Sequence, residues 1–260
     1  MARFICNKGL NGSGSHKIER DKVLQTTRFL PREGANDPRT NRLLGMISPA
    51  SWPIWEQSLE IVEMHPEDAI HEPGHEVRDA YFPIDCVISM LAVLSDGTST
   101  QTGMIGREGV VGLCLFMKQP TTRLRHVVLS AGAAARISAS ALARGQPDRA
   151  FTTALERYAL ELLTQASYAV ACARHHTTEQ QLCSLFLAFM DRLSTSHLVL
   201  THDLLAGLLG LRRETVTQAA QKLQARGLVR YRRGHIQVLD RPGIQRVACE
   251  CYGIAHRLES

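Results

Sequence analysis

The chain has 260 residues, 44% of them hydrophobic, and a formal net charge of +5, enough for one or two domains with a sizeable core. No apolar run approaches the ~18 residues of a membrane helix, and the start MARFICNKGLNGSGSHK lacks a signal-peptide h-region; both point to a cytoplasmic protein with no membrane partner. The seven cysteines, Cys6, Cys86, Cys114, Cys172, Cys183, Cys249 and Cys251, are scattered and odd in number, which excludes a disulfide framework. There is no CxxC pair, and Cys249 and Cys251 stand too close for the usual zinc knuckle. The expectation is that most are small buried hydrophobes and that the protein binds no metal.

Residues 1–39 are rich in Gly, Ser and Arg, with weak periodicity and the turn-prone segment Asn11 to Ser15. They read as a flexible tail, with a short helix possible around Ile18 to Phe29. Residues 40–147 change character. Short helices are expected at Asn41 to Met46 and Pro53 to Leu59. Apolar runs then follow at Ile61 to Met64, Ala80 to Phe82, Val87 to Leu94, Ser99 to Ile105, Arg125 to Leu129 and Ala133 to Ile137. Turn residues separate them, and Asp96-Gly97 is a hairpin signal. Many short strands at this spacing predict an antiparallel sandwich or jelly roll. Cys86 to Ser95, the longest strongly apolar stretch, reads as a buried strand.

Residues 148–177 form one long helical segment. Leu155, Leu162 and Ala169 recur every seven residues, with Tyr158 and Cys172 at the second seam position and the small Ala166 beside them. Such a seam predicts a homodimer through a two-stranded coiled coil. The alternative is a helix lying on its own domain. Thr178 with Gln181 fits a capping box for the next helix, whose apolar face is Leu182, Leu185, Phe186, Phe189 and Met190.

Residues 178–245 carry the most informative pattern. Thr201 is the expected N-cap of a helix from His202 to Leu209, and Gly210 supplies a sharp turn. A second helix begins near Arg213 with Val216, Ala219, Ala220 and Leu223 on one face. Its other face presents Arg213, Glu214, Thr217 and Gln218, side chains able to reach base edges. Gly227 ends it. Two strands around Arg232, Arg233 and Gly234 then make a basic wing, and Thr201, Arg212, Thr215, Arg232 and Arg233 are the expected phosphate contacts. Between Thr201 and Leu239 lie seven basic and two acidic residues, so this segment alone carries a charge equal to that of the whole chain. Positive charge concentrated on a helix-turn-helix is the footprint of a double-stranded DNA partner. Residues 246–260 read as a C-terminal tail.

A β-roll, a long helix and a winged helix-turn-helix, in that order, resemble the Crp/Fnr family of bacterial transcription regulators. The match spans about Asn41 to Leu239 and is most specific over Leu208 to Thr217, LLGLRRETVT. The resemblance implies an α+β protein with no catalytic residues, which reads two-fold half-sites and has RNA polymerase as a partner. It puts Arg213, Glu214 and Gln218 against base pairs. The family usually has a basic residue at the place of Gln218, which implies a different half-site.

The sensory half departs from the pattern. Cyclic-nucleotide members have a Phe-Gly-Glu element and an Arg-Ser pair. Here Gly112-Leu113 stands at the first and Arg123-Leu124 at the second. A ribose hydroxyl facing Leu113 loses a charge-assisted hydrogen bond of about 1.5–3 kcal/mol, so cyclic AMP is not the expected ligand. Cys6 alone cannot supply the closely spaced N-terminal cysteines of the iron–sulfur members. His65, His71 and His75 are expected to be exposed or structural rather than haem ligands. Three readings remain: a regulator controlled by an effector in the roll, one whose roll is only a scaffold, and a cyclic-nucleotide-type sensor acting through protein contacts. The Gly-rich turn Arg107-Glu108-Gly109 lacks a following P-loop Lys and a paired base, so an enzyme is not expected.

Overall fold

The computed structural model describes residues 37–144 and 148–259, with side chains to residue 254. The tail expected over 1–39, with its possible helix, lies almost wholly outside the described residues. After a 3-10 turn at Pro38–Thr40 come two short helices, α1 (Arg42–Gly45) and α2 (Trp52–Glu56). Asn41 is fully buried and holds this entry in place. Its carbonyl caps α1 at the amides of Leu43 and Leu44, while its amide donates to Pro83 O and Gly109 O, both at 2.9 Å.

Seven strands build the roll: β1 (Glu60–Met64), β2 (Ala69–His71), β3 (Asp79–Pro83), β4 (Val87–Val93), β5 (Ser99–Ile105), β6 (Arg125–Ser130) and β7 (Gly132–Ser138). They form two antiparallel sheets, in the orders β1-β7-β3 and β2-β6-β4-β5. The expected strands are all present, and Asp96-Gly97 turns the β4–β5 hairpin. The three-residue β2 had no apolar run to announce it. Two further short helices, α3 (Leu113–Phe116) and α4 (Ala139–Arg144), were also unforeseen.

The four-stranded sheet is covered on both faces. Ile88, Met90, Ile105 and Val128 face the core inside the roll. Their neighbours Val87, Leu91, Met104 and Leu129 belong to a second core shared with the C-terminal half. A strand buried on both faces is largely apolar, which accounts for the long run around β4, where the buried Ser89 accepts from Gln101.

The long helix α5 runs from Arg149 to His175. Asp148 caps it by accepting from Phe151 N at 2.9 Å, and its other oxygen accepts from Ser48 N at 2.8 Å. Three expected seam residues, Leu155, Tyr158 and Leu162, are placed differently from the reading above. Leu155 and Tyr158 are buried in the core of their own roll, together with Phe151, and Leu162 and Ala154 lie against it. Tyr158 donates to Val110 O at 3.3 Å. Heptad spacing could not distinguish a helix seated on its own domain from one seated on a partner.

The next helix, α6 (Thr178–Leu193), has Thr177 as its N-cap in a capping box with Gln180. The box is therefore one residue earlier than Thr178 and Gln181. Gln181 instead donates to His176 O at 2.8 Å. Leu182, Leu185, Phe186, Phe189 and Met190 are all buried, as expected, between the roll and the helix-turn-helix. At the end of α6, Arg192 Nε meets Glu108 Oε1 at 2.8 Å, with the two side chains 5% and 7% exposed. Glu108 Oε1 also accepts from Gly106 N at 2.9 Å, and Arg192 donates to Met104 O and Ala188 O.

The C-terminal segment is also ordered differently from a tail. After the helix-turn-helix come α9 (Arg241–Val247) and α10 (Glu250–Glu259), the latter packed on α5 and α6. Asp191 of α6 accepts from Arg241 at 2.6 Å and from Tyr252 OH at 2.8 Å. Among the described residues, no helix is long and apolar enough to cross a membrane.

Removing one member of a buried ion pair leaves its partner desolvated. Glu108→Ala should therefore lower the unfolding free energy by about 3–5 kcal/mol in denaturant titration. The double change Glu108→Leu with Arg192→Met should recover most of it, and a Glu108→Ala protein of wild-type stability would show that the pair is dispensable. A second test concerns His71 and His126, buried edge to face with ring centroids 5.3 Å apart. Burial, and then the neighbouring His71, pushes His126 down to about 3. The folded protein keeps this ring neutral while the unfolded chain protonates it below about pH 6.5. This contribution is neutral above that pH and destabilises as pH falls, by about 1.4 kcal/mol per pH unit. Stability should thus fall between about pH 6.5 and 5, and His126→Gln should flatten that fall; identical slopes for the two proteins would refute the assignment.

Candidate nucleic-acid interface

Thr201 caps α7 (His202–Leu209) by accepting from Leu204 N at 3.1 Å, a bond worth about 1 kcal/mol to such a helix. Gly210 closes α7 in the left-handed region at φ 64°, and a Cβ there would come within 2.7 Å of Thr100 Oγ1 on β5. The turn of the helix-turn-helix thus rests on the roll's β4–β5 hairpin. The second helix, α8, spans Arg213–Ala225 and buries Val216, Ala219, Ala220 and Leu223, the four residues its periodicity predicted.

Burying that face exposes the other. Arg212, Arg213, Glu214, Thr215 and Gln218 are exposed, at or just before the first turns of α8. Thr217 is only half exposed. Its hydroxyl donates to Arg213 O and lies 2.9 Å from His202 Nδ1, so this expected base reader is engaged within the protein. Thr201 likewise has its hydroxyl committed to capping. Arg213 lies 3.5 Å from Asp203, an exposed pair that water and salt weaken.

Gly227 ends α8 at φ 69°. The wing follows as β9 (Val229–Arg232) and β10 (His235–Val238), joined by Arg233 and Gly234 with φ 48° and 82°. Two consecutive positive φ values make the tight hairpin turn that matches strand twist. A third strand, β8 (His197–Val199), pairs with β10 and was not foreseen. Arg230, Arg232 and Arg233 are exposed on this wing. Lys222 and Arg226 instead face α6, at 3.0 and 3.7 Å from Glu179.

One pair missed in the sequence joins helix to wing. The rings of His202 and Tyr231 stack with centroids 4.1 Å apart. Desolvation, and then the charge of Arg213, lowers the pKa of His202 and favours its neutral form.

The residues assigned to an effector lie at different places in the roll. Gly112 has φ 91° and lies against β3, where a Cβ would meet Asp79 O at 3.0 Å. Leu113 opens α3 and packs on the roll core, while Arg123 is exposed. His71 is buried, and His65 and His75 are exposed.

Residues 180–247 match the family described as the Crp-like helix-turn-helix domain. A search of curated proteins found no match. Among solved structures, FixK2 from Bradyrhizobium japonicum is 19% identical over 74% of this chain and 98% of its own, with a TM-score of 0.60. A CRP/FNR-family transcriptional regulator of Thermus thermophilus, TTHA1359, is 22% identical over 73% and 98%, with a TM-score of 0.58. The c-di-GMP-responsive global regulator CLP of Xanthomonas campestris is 17% identical over 74% and 100%, with a TM-score of 0.59. The chain thus carries a Crp-like helix-turn-helix domain, within a fold similar to that of solved Crp/Fnr-family regulators.

The exposed face of α8 and the wing should be separable by mutation. Arg213→Ala should weaken binding to a specific duplex by about 1–3 kcal/mol and relax preference at one base pair per half-site. Arg232→Ala or Arg233→Ala should weaken all duplexes alike and reduce the salt slope by about one unit. If Arg213→Ala weakens specific and scrambled duplexes equally, Arg213 grips phosphate and reads no base.

Proposed function

We propose that the protein is a sequence-specific transcription regulator that binds two-fold DNA half-sites as a homodimer. One observation carries this reading: the helix that buries Val216, Ala219, Ala220 and Leu223 leaves Arg213, Glu214 and Gln218 exposed beside a wing bearing Arg230, Arg232 and Arg233. Arg213, Glu214 and Gln218 are the proposed base readers. Arg212, Thr215, Arg232 and Arg233 are the proposed phosphate contacts.

The dimer seam belongs on the face of α5 that the roll leaves open. Leu160, Leu163 and Val170 are 66, 64 and 73% exposed, and with Ser167 they follow a 3-4-3 spacing. That is the spacing of a coiled-coil seam, turned away from Leu155 and Tyr158. Ala166 and Ala169 flank it, half-buried. Three large apolar side chains in one exposed stripe are what a partner helix covers.

RNA polymerase is the partner that the Crp/Fnr architecture implies, and the double-covered sheet of the roll offers a route for an effector signal to α6. With Leu113 packed into the roll and Arg123 exposed, cyclic AMP is not the proposed effector.

Leu163→Asp puts a charge in the proposed seam. It should sediment as a monomer at concentrations where the parent is dimeric, and it should lose affinity for duplexes that the parent selects from a random library. The selected duplexes should be two-fold symmetric, with half-site centres about 34–36 Å apart. Adding cyclic AMP should leave the parent's binding curve unchanged. A dimeric, DNA-competent Leu163→Asp protein would exclude this seam.

A further inference from the structure

We propose that Cys172, His176, Cys249 and Cys251 bind a single tetrahedral divalent metal ion of the zinc class. Cys172 and His176 occupy the last turn of α5 and the residue after it. Cys249 and Cys251 lie at the junction of α9 and α10. One ligand atom from each residue lies within 4.8 Å of the other three. Cys172 Sγ is 3.5 Å from Cys249 Sγ, and Cys251 Sγ is 3.6 Å from His176 Nδ1.

The two shorter separations match the edges of a metal tetrahedron, and the other donors lie close enough for small side-chain rotations to close it. Zinc bonds of about 2.3 Å to sulfur and about 2.0–2.1 Å to nitrogen place neighbouring donors about 3.4–3.8 Å apart. Donors this close share one ion, because a multi-iron cluster spreads its thiolates over several metals. Three sulfurs and one imidazole are also the donor set of a structural zinc site.

The surroundings complete the chemistry. With Nδ1 on the metal, His176 donates its Nε2–H to Glu250, whose carboxylate oxygen is 3.3 Å away. Such a carboxylate fixes the tautomer and raises the basicity of the ligand. Ser184 Oγ stands 3.1 Å from Cys249 Sγ, where its hydroxyl donates to a thiolate, and it accepts from Cys249 N at 3.2 Å. Loading the ion displaces the three thiol protons to solvent.

The sequence concealed this site and led to the expectation of no metal. Cys249 and Cys251 are too close for a knuckle, and their co-ligands stand more than 70 positions earlier. Folding α10 back on α5 brings the two halves together. A metal here would pin the end of the long helix to the segment that follows the wing, and so would set how the DNA-binding elements sit on that helix. It would tie DNA affinity to metal supply. Metal binding itself is measured without DNA, so its outcome is separate from that of the proposed regulator function.

The test is a cobalt(II) titration of the reduced, chelator-stripped full chain. One equivalent per chain should produce the visible d–d bands and the near-ultraviolet charge-transfer band of a tetrahedral cobalt thiolate, and zinc should bleach them. Cys172→Ser and Cys249→Ser should lose the stoichiometric ion, while Cys114→Ser, in the roll, keeps it. A second measurement needs no variant. Zinc should protect Cys172, Cys249 and Cys251 from alkylation, leave Cys114 unchanged, and lose its effect on adding chelator. Absence of the tetrahedral bands, alkylation indifferent to zinc, or more than one iron per chain in the purified protein would overturn the proposal.

Discussion

The constraint on which this structure depends is that one four-stranded sheet serves two cores. Ile88, Met90, Ile105 and Val128 close the roll, while Val87, Leu91, Met104 and Leu129, on the reverse of the same strands, meet α6 and the DNA-binding elements. Close packing transmits displacement, so a change in the roll reaches α6 without a separate linkage. The Glu108–Arg192 pair sits at this junction, buried, bridging the turn after β5 to the last turn of α6. An ion pair in such a place adds little net stability over apolar packing but is costly to break. Its value here is registry, since the seating of α6 must bring Arg192 to Glu108 and Met104 O together.

From that seating the DNA-facing surface follows. The turn at Gly210 abuts Thr100 of β5, so the helix-turn-helix is braced on the roll rather than hung from a linker. The His202–Tyr231 stack ties the start of α7 to the wing, and Glu179 holds Lys222 and Arg226 against α6. The basic charge of this domain therefore divides by position. The part near α6 is spent on internal pairing, and the part on the first turn of α8 and the wing faces outward.

The long helix divides in the same way. Its first half, through Phe151, Leu155 and Tyr158, is part of the roll. Its second half carries the exposed stripe Leu160, Leu163 and Val170 on one side and the Cys172–His176 pair on another. One helix thus meets the roll, the proposed partner helix and the C-terminal segment with different faces. A 27-residue helix can do this because its length greatly exceeds what any one contact needs.

Local chemistry was legible in the amino-acid sequence. Thr201, Gly210 and Gly227 mark helix boundaries by capping and left-handed backbone. The spacing of Val216 to Leu223 marks a buried face, and the apolar run around β4 announces a strand covered twice. These signals depend on neighbours within a few residues, and the fold and the exposed face of α8 rest on them. What each face meets was decided only in three dimensions. A seven-residue period says that a helix has an apolar side, but burial of Leu155 and Tyr158 in their own roll turned the open side to Leu160, Leu163 and Val170. Glu108 and Arg192 are ordinary charges until packing removes their water. The tail expected after residue 245 became the end of α9 and the whole of α10, because α5 and α6 were there to receive them. The four candidate metal ligands come from two segments far apart in the chain, and no local pattern can encode a distance that only folding closes.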